Sequence, residues 1–153
     1  MMITINTIDF RGSIVDGPGI RTVLYVQGCH RKCHGCHNPN TWSSQEGTKI
    51  EVKNLANEIR SKSLNNKLTI SGGEPLLQYN AVLELVKDLN TFDKILYTGF
   101  ELEEVPKEML SYLKYIKVGK FINEEVCTTL PYIGSKNQQF IDLRGSKYER
   151  VIS

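Results

Sequence analysis

Segments typical of β-strands and segments typical of amphipathic helices alternate along most of this chain of 153 residues. Helices are predicted at Glu51–Arg60, after Pro75 and near Pro106, because apolar residues recur there at helical spacing. The predicted strands are short and rich in β-branched and aromatic residues, and they span Arg21–Val26, Lys67–Ser71, Lys94–Thr98, Tyr115–Val118 and Gln139–Leu143. Strands that alternate with helices are joined by right-handed crossovers, so this order predicts a mostly parallel sheet.

The length of the chain limits how far such a sheet can close. A closed barrel of eight β/α units takes roughly 250 residues, and this chain supplies only four or five units. We therefore expect an α/β fold of the open, partial TIM-like β/α barrel type, formed by a single domain over residues 1–153. A barrel with an open side would suit a large protein substrate.

Composition excludes several classes of protein. Hydrophobic residues make up 40% and charged residues 24% of the chain, which is ordinary for a globular protein. The net charge is +2 without a basic block, so nucleic-acid binding is not expected. No apolar run approaches the roughly 20 residues that span a bilayer, and the N-terminus lacks the pattern of a secretory signal. We expect a cytoplasmic protein without membrane contact.

Three of the four cysteines lie close together in one predicted loop, at Cys29, Cys33 and Cys36. In a reducing compartment these residues should be free thiols that are available to a metal. Three ligands are one fewer than a structural zinc site or an electron-transfer [4Fe–4S] cluster normally takes. Three thiolates on a four-iron cluster would leave one iron open to bind and activate another molecule.

The cysteine spacing alone leaves two alternatives open. Zinc would need one more ligand, and the candidates are the three histidines and the remaining cysteine, namely His30, His34, His37 and Cys127. For Cys127 we prefer an unligated thiol, and for the histidines a position in solvent or behind the ligands. The pair Cys33 and Cys36 also has the spacing of a thioredoxin-like redox site, although Cys29, four residues earlier, argues against it.

The distinctive segments of the chain all follow predicted strands. The cysteine loop follows the first strand, Ser71–Glu74 the second, Thr98–Gly99 the third and Val118–Gly119 the fourth. Sites in parallel α/β sheets gather at the carboxyl ends of the strands, so these segments should meet at one edge.

The segment Ser71, Gly72, Gly73 and Glu74 predicts a strand-to-helix turn. Glycines permit unusual backbone angles and the close approach of a ligand. Backbone carbonyls and the Glu74 carboxylate would suit an ammonium group. The alternative is a simple turn in which Glu74 is favoured by the helix dipole. The neighbouring cysteine loop makes us prefer the ligand site.

These motifs together resemble the radical S-adenosylmethionine (SAM) superfamily, in which a three-cysteine loop precedes a Gly-Gly-Glu-Pro turn. The segment Val15–Thr22, which contains Asp-Gly-Pro-Gly, resembles the activases of glycyl-radical enzymes. The short chain and Gly134–Gln138 resemble most closely the activases of anaerobic ribonucleotide reductases. The resemblance covers about residues 9–143. It implies reductive cleavage of SAM at a [4Fe–4S] cluster and formation of a glycyl radical on anaerobic ribonucleoside-triphosphate reductase.

The resemblance also implies roles for single residues. The three cysteines become the catalytic and metal-binding residues, and the turn takes the methionine amino group of SAM. The further expected SAM contacts are His37, Thr98 and Asn137, although Asn137 and Gln138 could equally satisfy buried backbone. Asp16 and Arg21 are expected near the point where the glycyl loop of a partner enters.

At two positions the chain departs from its relatives. Gly35 stands where many of them carry an aromatic residue, so stacking on adenine would have to come from His37 or from Trp42, which is more typical of a core residue. Val118 stands where many carry an acidic residue, which weakens the prediction of a ribose or cation contact there.

The resemblance implies two partners. One is the large, glycyl-radical subunit of anaerobic ribonucleoside-triphosphate reductase, and the other is an electron donor of the flavodoxin or ferredoxin type. The competing functions are a small-molecule radical SAM enzyme of the 7-carboxy-7-deazaguanine synthase type, an activase of a glycyl-radical lyase, and a zinc module without enzyme activity. The short chain has no additional loops to build a small-molecule pocket, which favours the activase.

Overall fold

The computed structural model describes residues 1–29, 33–36, 39–145 and 149–152. The strands are β1 (Met2–Ser13), β2 (Arg21–Val26), β3 (Thr48–Glu51), β4 (Lys67–Gly72), β5 (Asp93–Tyr97), β6 (Tyr115–Val118), β7 (Gln139–Asp142) and β8 (Glu149–Ile152). The α-helices are α1 (Val52–Lys62), α2 (Tyr79–Asp88) and α3 (Lys107–Leu110). Single 3₁₀ turns lie at Pro39–Thr41, Pro75–Gln78, Leu102–Glu104 and Asn123–Glu125.

The described strands form one sheet of eight strands in the order β3-β1-β2-β4-β5-β6-β7-β8, which does not close on itself. The four central strands, β2, β4, β5 and β6, are parallel, as the strand–helix order predicts. The outer strands pair antiparallel with their neighbours, so the sheet as a whole is mixed rather than mostly parallel. The strands β1, β3 and β8 are absent from the sequence prediction.

The sheet has two different faces because side chains alternate along each strand. One face packs against the helices and forms the larger core; its strand residues include Leu24, Val26, Leu68, Ile70, Leu96, Ile116 and Ile141. The opposite face carries a smaller cluster of Ile95, Tyr97, Tyr115, Ile133 and Phe140. This second face lies toward the hollow of the open barrel. None of the helices in the described part of the chain combines the length and the apolar character that a membrane-spanning segment requires.

Arg21 clamps the amino ends of the central strands and is completely buried. Its guanidinium donates to the backbone carbonyls of Pro18, Leu68 and Asp93, to Thr69 Oγ1 at 2.9 Å, and to Asp93 Oδ1 at 2.8 Å. The expectation that Arg21 lies near an incoming partner loop is therefore wrong. A guanidinium with five donors is suited to this position because it satisfies acceptors from several segments at once.

Candidate active site

A cavity of about 480 Å³ lies at the carboxyl ends of the central strands. The predicted site residues that line it are Cys29, Cys33, Cys36, Ser71, Gly72, Gly73, Glu74 and Thr98. The structure therefore brings together segments that lie about 70 positions apart in the sequence. His37 and His30 lie outside the described residues. Asn137 is described but is not among the residues that line the cavity.

Backbone hydrogen bonds join the start of the cysteine loop to the turn after β4. The N–H of Glu74 donates to the carbonyl of Gly28 at 2.8 Å, and the N–H of Gly73 donates to that of Val26 at 3.0 Å. The N–H of Cys29 donates to the carbonyl of Trp42 at 3.0 Å, which fixes the loop from its other side. The first cysteine is thus positioned by the Gly-rich turn.

The close packing of this turn explains why position 73 needs a glycine. A Cβ atom on Gly73 would come within 2.3 Å of the carbonyl oxygen and 2.8 Å of the carbonyl carbon of Gly28. Both atoms are backbone, so neither can move aside without moving the loop. The sequence suggested that this glycine makes room for a ligand, but here the missing side chain makes room for the residue that precedes Cys29.

Replacing Gly73 with alanine should therefore displace Gly28 and, with it, Cys29. We expect a loss of about 1–3 kcal/mol in the free energy of unfolding, because an added methyl in a packed site forces backbone shifts. We also expect poor iron loading. Gly134→Ala is a matched control, since its Cβ would meet side chains rather than backbone, with the Phe121 ring at 3.1 Å and Gln138 Oε1 at 3.6 Å. The iron content of both variants is measured after anaerobic reconstitution. Normal iron loading of the Gly73 variant would contradict the coupling between the turn and Cys29.

A tight turn joins the second and third cysteines. The N–H of Cys36 donates to the carbonyl of Cys33 at 3.0 Å, and Gly35 has a φ of +77°, in the left-handed region that favours glycine. A Cβ on Gly35 would come within 2.3 Å of Asn123 Oδ1. The neighbouring loop thus occupies the space that a side chain at position 35 would need.

The Cys33 thiol lies in a site where its ionisation is unfavourable without a metal. Burial raises the pKa of the Cys33 thiol, and the charges of Cys29 and Cys36 act in the same direction, while Lys120 opposes them. A metal that binds here must displace protons, and in return it stabilises the thiolates.

The donor set fits an iron–sulfur cluster. Three thiols from one loop line the cavity, and each can bind a separate iron of a four-iron cluster. In the ranges that the structure describes, no three His, Cys, Asp or Glu side chains are gathered closely enough to hold a single metal ion.

Glu74 links the ends of two strands on the floor of the cavity and is only 3% exposed. Its carboxylate accepts hydrogen bonds from the Thr98 hydroxyl at 2.8 Å, from the N–H of Gly99 at 2.7 Å and from the N–H of Leu76 at 3.0 Å. These donors fix the carboxylate in place beside Ser71, which also lines the cavity. Thr98, predicted from its place at a strand end, therefore acts at least in part through Glu74.

The side chains of Asn137 and Gln138 form hydrogen bonds with backbone groups, which is the alternative that the sequence left open. The Asn137 amide donates to the carbonyl of Lys120 at 2.7 Å and accepts from the Ser135 hydroxyl. Gln138 accepts from the N–H of Gly134 and donates to the carbonyl of Gly119, so it ties the loop before β7 to the end of β6. A contact between Asn137 and a bound ligand remains a prediction.

Several residues on the cavity wall escaped the sequence analysis. Tyr97 and Lys117 point inward from β5 and β6, and residues 130–134 close the opposite side. Strand alternation was a usable signal for the first two, because each stands beside residues of the helix-facing core. Trp42, which the sequence favours as a core residue, is only partly buried and lines the cavity. Cys127 lines the cavity as well, with Sγ 3.6 Å from Thr129 Oγ1.

Comparison with known proteins agrees with this geometry. Residues 15–141 match the family model described as a 4Fe-4S single cluster domain. The crystal structure of QueE from Escherichia coli has a similar fold, with a TM-score of 0.57 and 19% identity over 75% of this chain and 69% of that one. The chain is therefore a single-cluster iron–sulfur protein with an open α/β fold, as predicted.

Proteins of similar sequence identify the family within this class of iron–sulfur proteins. The anaerobic ribonucleoside-triphosphate reductase-activating protein of Vibrio cholerae is 38% identical over 82% of this chain and 89% of its own length. The protein of the same name from Enterobacteria phage T4 is 38% identical over 82% of this chain and 85% of its own length. The chain belongs to the family of anaerobic ribonucleoside-triphosphate reductase-activating proteins. The resemblance that the motifs suggested is thus confirmed.

Proposed function

We propose that this chain is a radical SAM activase that generates a glycyl radical on an anaerobic ribonucleoside-triphosphate reductase. The observation that carries the proposal is the shared cavity, in which three thiols from one loop face the turn Ser71–Glu74. Family membership supplies the partner, since the relatives are named for activating that reductase.

In this function Cys29, Cys33 and Cys36 hold a [4Fe–4S] cluster and leave one iron for SAM. A reduced cluster bound there would supply the one electron needed to cleave the C5′–S bond of SAM to methionine and a 5′-deoxyadenosyl radical, which would take a hydrogen atom from the target glycine. The turn supplies acceptors for the ammonium group of SAM, namely its backbone carbonyls and the Glu74 carboxylate. Thr98 and Gly99 orient that carboxylate by their hydrogen bonds.

The walls of the cavity and the open sheet support a protein substrate. Apolar residues such as Leu130 and Ile133 shield one side of the cavity from water, which protects a reactive radical. The sheet does not close into a barrel, so a loop of a large partner has lateral access. The electron donor in this proposal is a flavodoxin or ferredoxin, and the reaction takes place in the cytoplasm.

The direct test is to mix the reconstituted, reduced protein with SAM and the purified large subunit of an anaerobic reductase under strictly anaerobic conditions. The proposed function predicts a glycyl-radical EPR signal on the reductase, with one 5′-deoxyadenosine formed for each radical. A glycyl-radical lyase serves as the specificity control. Cleavage of SAM with a radical on the lyase alone would move the assignment to the lyase activases. Cleavage with neither protein labelled would favour a small-molecule substrate.

A further inference from the structure

In the part of the chain that the structure describes, the Tyr97 hydroxyl on the inner wall of the cavity has no hydrogen-bond partner, and the half-buried Lys117 ammonium beside it lies over the Tyr97 ring. Tyr97 and Lys117 are neighbours in register on the parallel strands β5 and β6, and both line the cavity. Lys117 Nζ lies 3.9 Å from the centroid of the Tyr97 ring, and no hydrogen bond or ion pair joins it to a described residue. Tyr97 is 7% exposed, and its hydroxyl is buried without a partner. Buried polar groups are rarely left unpaired, so a ligand atom is expected here.

The hydrogen-bonding chemistry of Tyr97 and Lys117 indicates which kind of ligand atom they would bind. An ammonium group only donates hydrogen bonds, and a phenol that stays protonated can donate one. Burial raises the pKa of Tyr97 well above its usual range, so the hydroxyl keeps its proton. Burial lowers the pKa of Lys117 to about 8, while the negative charges of Asp16 and Cys36 act against that change. At neutral pH the pair therefore presents two donors, which call for an oxygen acceptor.

The surrounding charge favours a neutral acceptor over an anion. Asp16 lines the same cavity and already offsets the charge of Lys117, and the three cysteines of the cluster site line that cavity as well. A carboxylate would meet these negative charges, whereas a peptide carbonyl carries none. A carbonyl oxygen also has two lone pairs and can accept from both donors at once.

We propose that Lys117 and Tyr97 together bind a backbone carbonyl of the partner loop that carries the target glycine. This inference rests on the proposed function, since it requires a polypeptide substrate. The two side chains are positioning residues: they hold the loop at a defined depth in the cavity and take no part in breaking a bond.

The experiment compares Lys117→Met and Tyr97→Phe with the unsubstituted protein, each reconstituted with its cluster. The probes are SAM and a synthetic peptide spanning the radical-bearing glycine of the reductase, with binding followed by calorimetry under anaerobic conditions. Peptide affinity should fall about tenfold in Lys117→Met and about fivefold in Tyr97→Phe, the values for one charged and one neutral hydrogen bond. SAM affinity should stay within about twofold, because the proposal assigns both side chains to the peptide. Lys117→Arg should restore most of the peptide affinity, and Lys53→Met, an exposed lysine on α1, is the matched control.

The outcomes separate this inference from the proposed function. Unchanged peptide affinity in both variants would overturn the inference alone. Weaker SAM binding with intact peptide binding would also overturn it, and would instead place the carboxylate of SAM at the pair. An unsubstituted protein that cleaves SAM but binds no peptide would contradict the protein substrate itself. Should Lys117→Met fail to fold, Tyr97→Phe decides the question, since its missing hydroxyl has no partner in the structure and its melting temperature should not fall.

Discussion

Replacing Cys33 with alanine should reduce 5′-deoxyadenosine formation to background, a loss on the order of a thousandfold or more. With only two thiols left in the loop, the cluster has too few ligands to be retained, so the source of the electron is lost. The fold itself should survive, because Cys33 is only partly buried and lies in a loop. The free energy of unfolding of the metal-free protein should change by less than about 1 kcal/mol.

The matched control for Cys33→Ala is Cys127→Ala, which removes the cavity-lining thiol that lies outside the cysteine loop. The Cys127 variant should still take up about four irons per chain and still cleave SAM. Retained cleavage in the Cys33 variant would remove that residue from the cluster site. Loss of iron in both variants would instead indicate that Cys127 is a fourth thiolate ligand. That result would favour a closed, structural metal site.

Replacing Arg21 with methionine should cost about 3–5 kcal/mol in the free energy of unfolding, the value for breaking one side of a buried ion pair. Methionine fills part of the space but leaves the carbonyls of Pro18 and Leu68 without the Arg21 donor, and it leaves the Asp93 carboxylate with Lys114, 3.3 Å away, as its remaining cation. Chemical denaturation of the metal-free protein measures the loss. Arg11→Met is the control, because Arg11 pairs with Asp9 on the surface and its removal should have little effect.

The Arg21 variant should also lose part of the pH dependence of its stability. Burial raises the pKa of Asp93, but the hydrogen bond from Arg21 and the charges of Arg21 and Lys114 outweigh it, so the pKa lies below its usual value. Ionised Asp93 therefore stabilises the fold above about pH 4, and that contribution is lost as the pH falls through the lowered pKa. Without Arg21 the pKa should rise, so protonation of Asp93 should cost the folded state less and the free energy of unfolding should fall less steeply as the pH is lowered. Identical acid profiles for both proteins would show that Arg21 does not control the carboxylate.

The sequence was informative where a period or a motif carries a physical requirement. The central strands were predicted because they are short runs rich in β-branched and aromatic residues, and α1 and α2 because their buried residues repeat at spacings of three to four positions. The cysteine loop and Ser71–Glu74 were placed in one cavity because both follow parallel strands. The outer strand β1 was missed because it lies toward the edge and most of its residues are half-buried or exposed, which weakens the apolar signal.

The structural roles of Arg21 and Gly73 depend on long-range contacts, which a local sequence pattern does not show. Arg21 is a structural clamp because Asp93, 72 positions later, supplies its carboxylate. Gly73 is needed because Gly28 passes directly beside it. Both contacts arise only when β2, β4 and β5 lie side by side, so the sequence alone suggested a partner contact for the one and a ligand contact for the other.

Anaerobic reconstitution with iron and sulfide tests the central claim most directly. The product is reduced with dithionite, its EPR spectrum is recorded with and without SAM, and 5′-deoxyadenosine is quantified. The account predicts a brown protein, a reduced-cluster signal that SAM alters, and deoxyadenosine that forms only when both reductant and SAM are present. A colourless, zinc-containing protein that takes up no iron and leaves SAM intact would contradict the account and would indicate a structural zinc module.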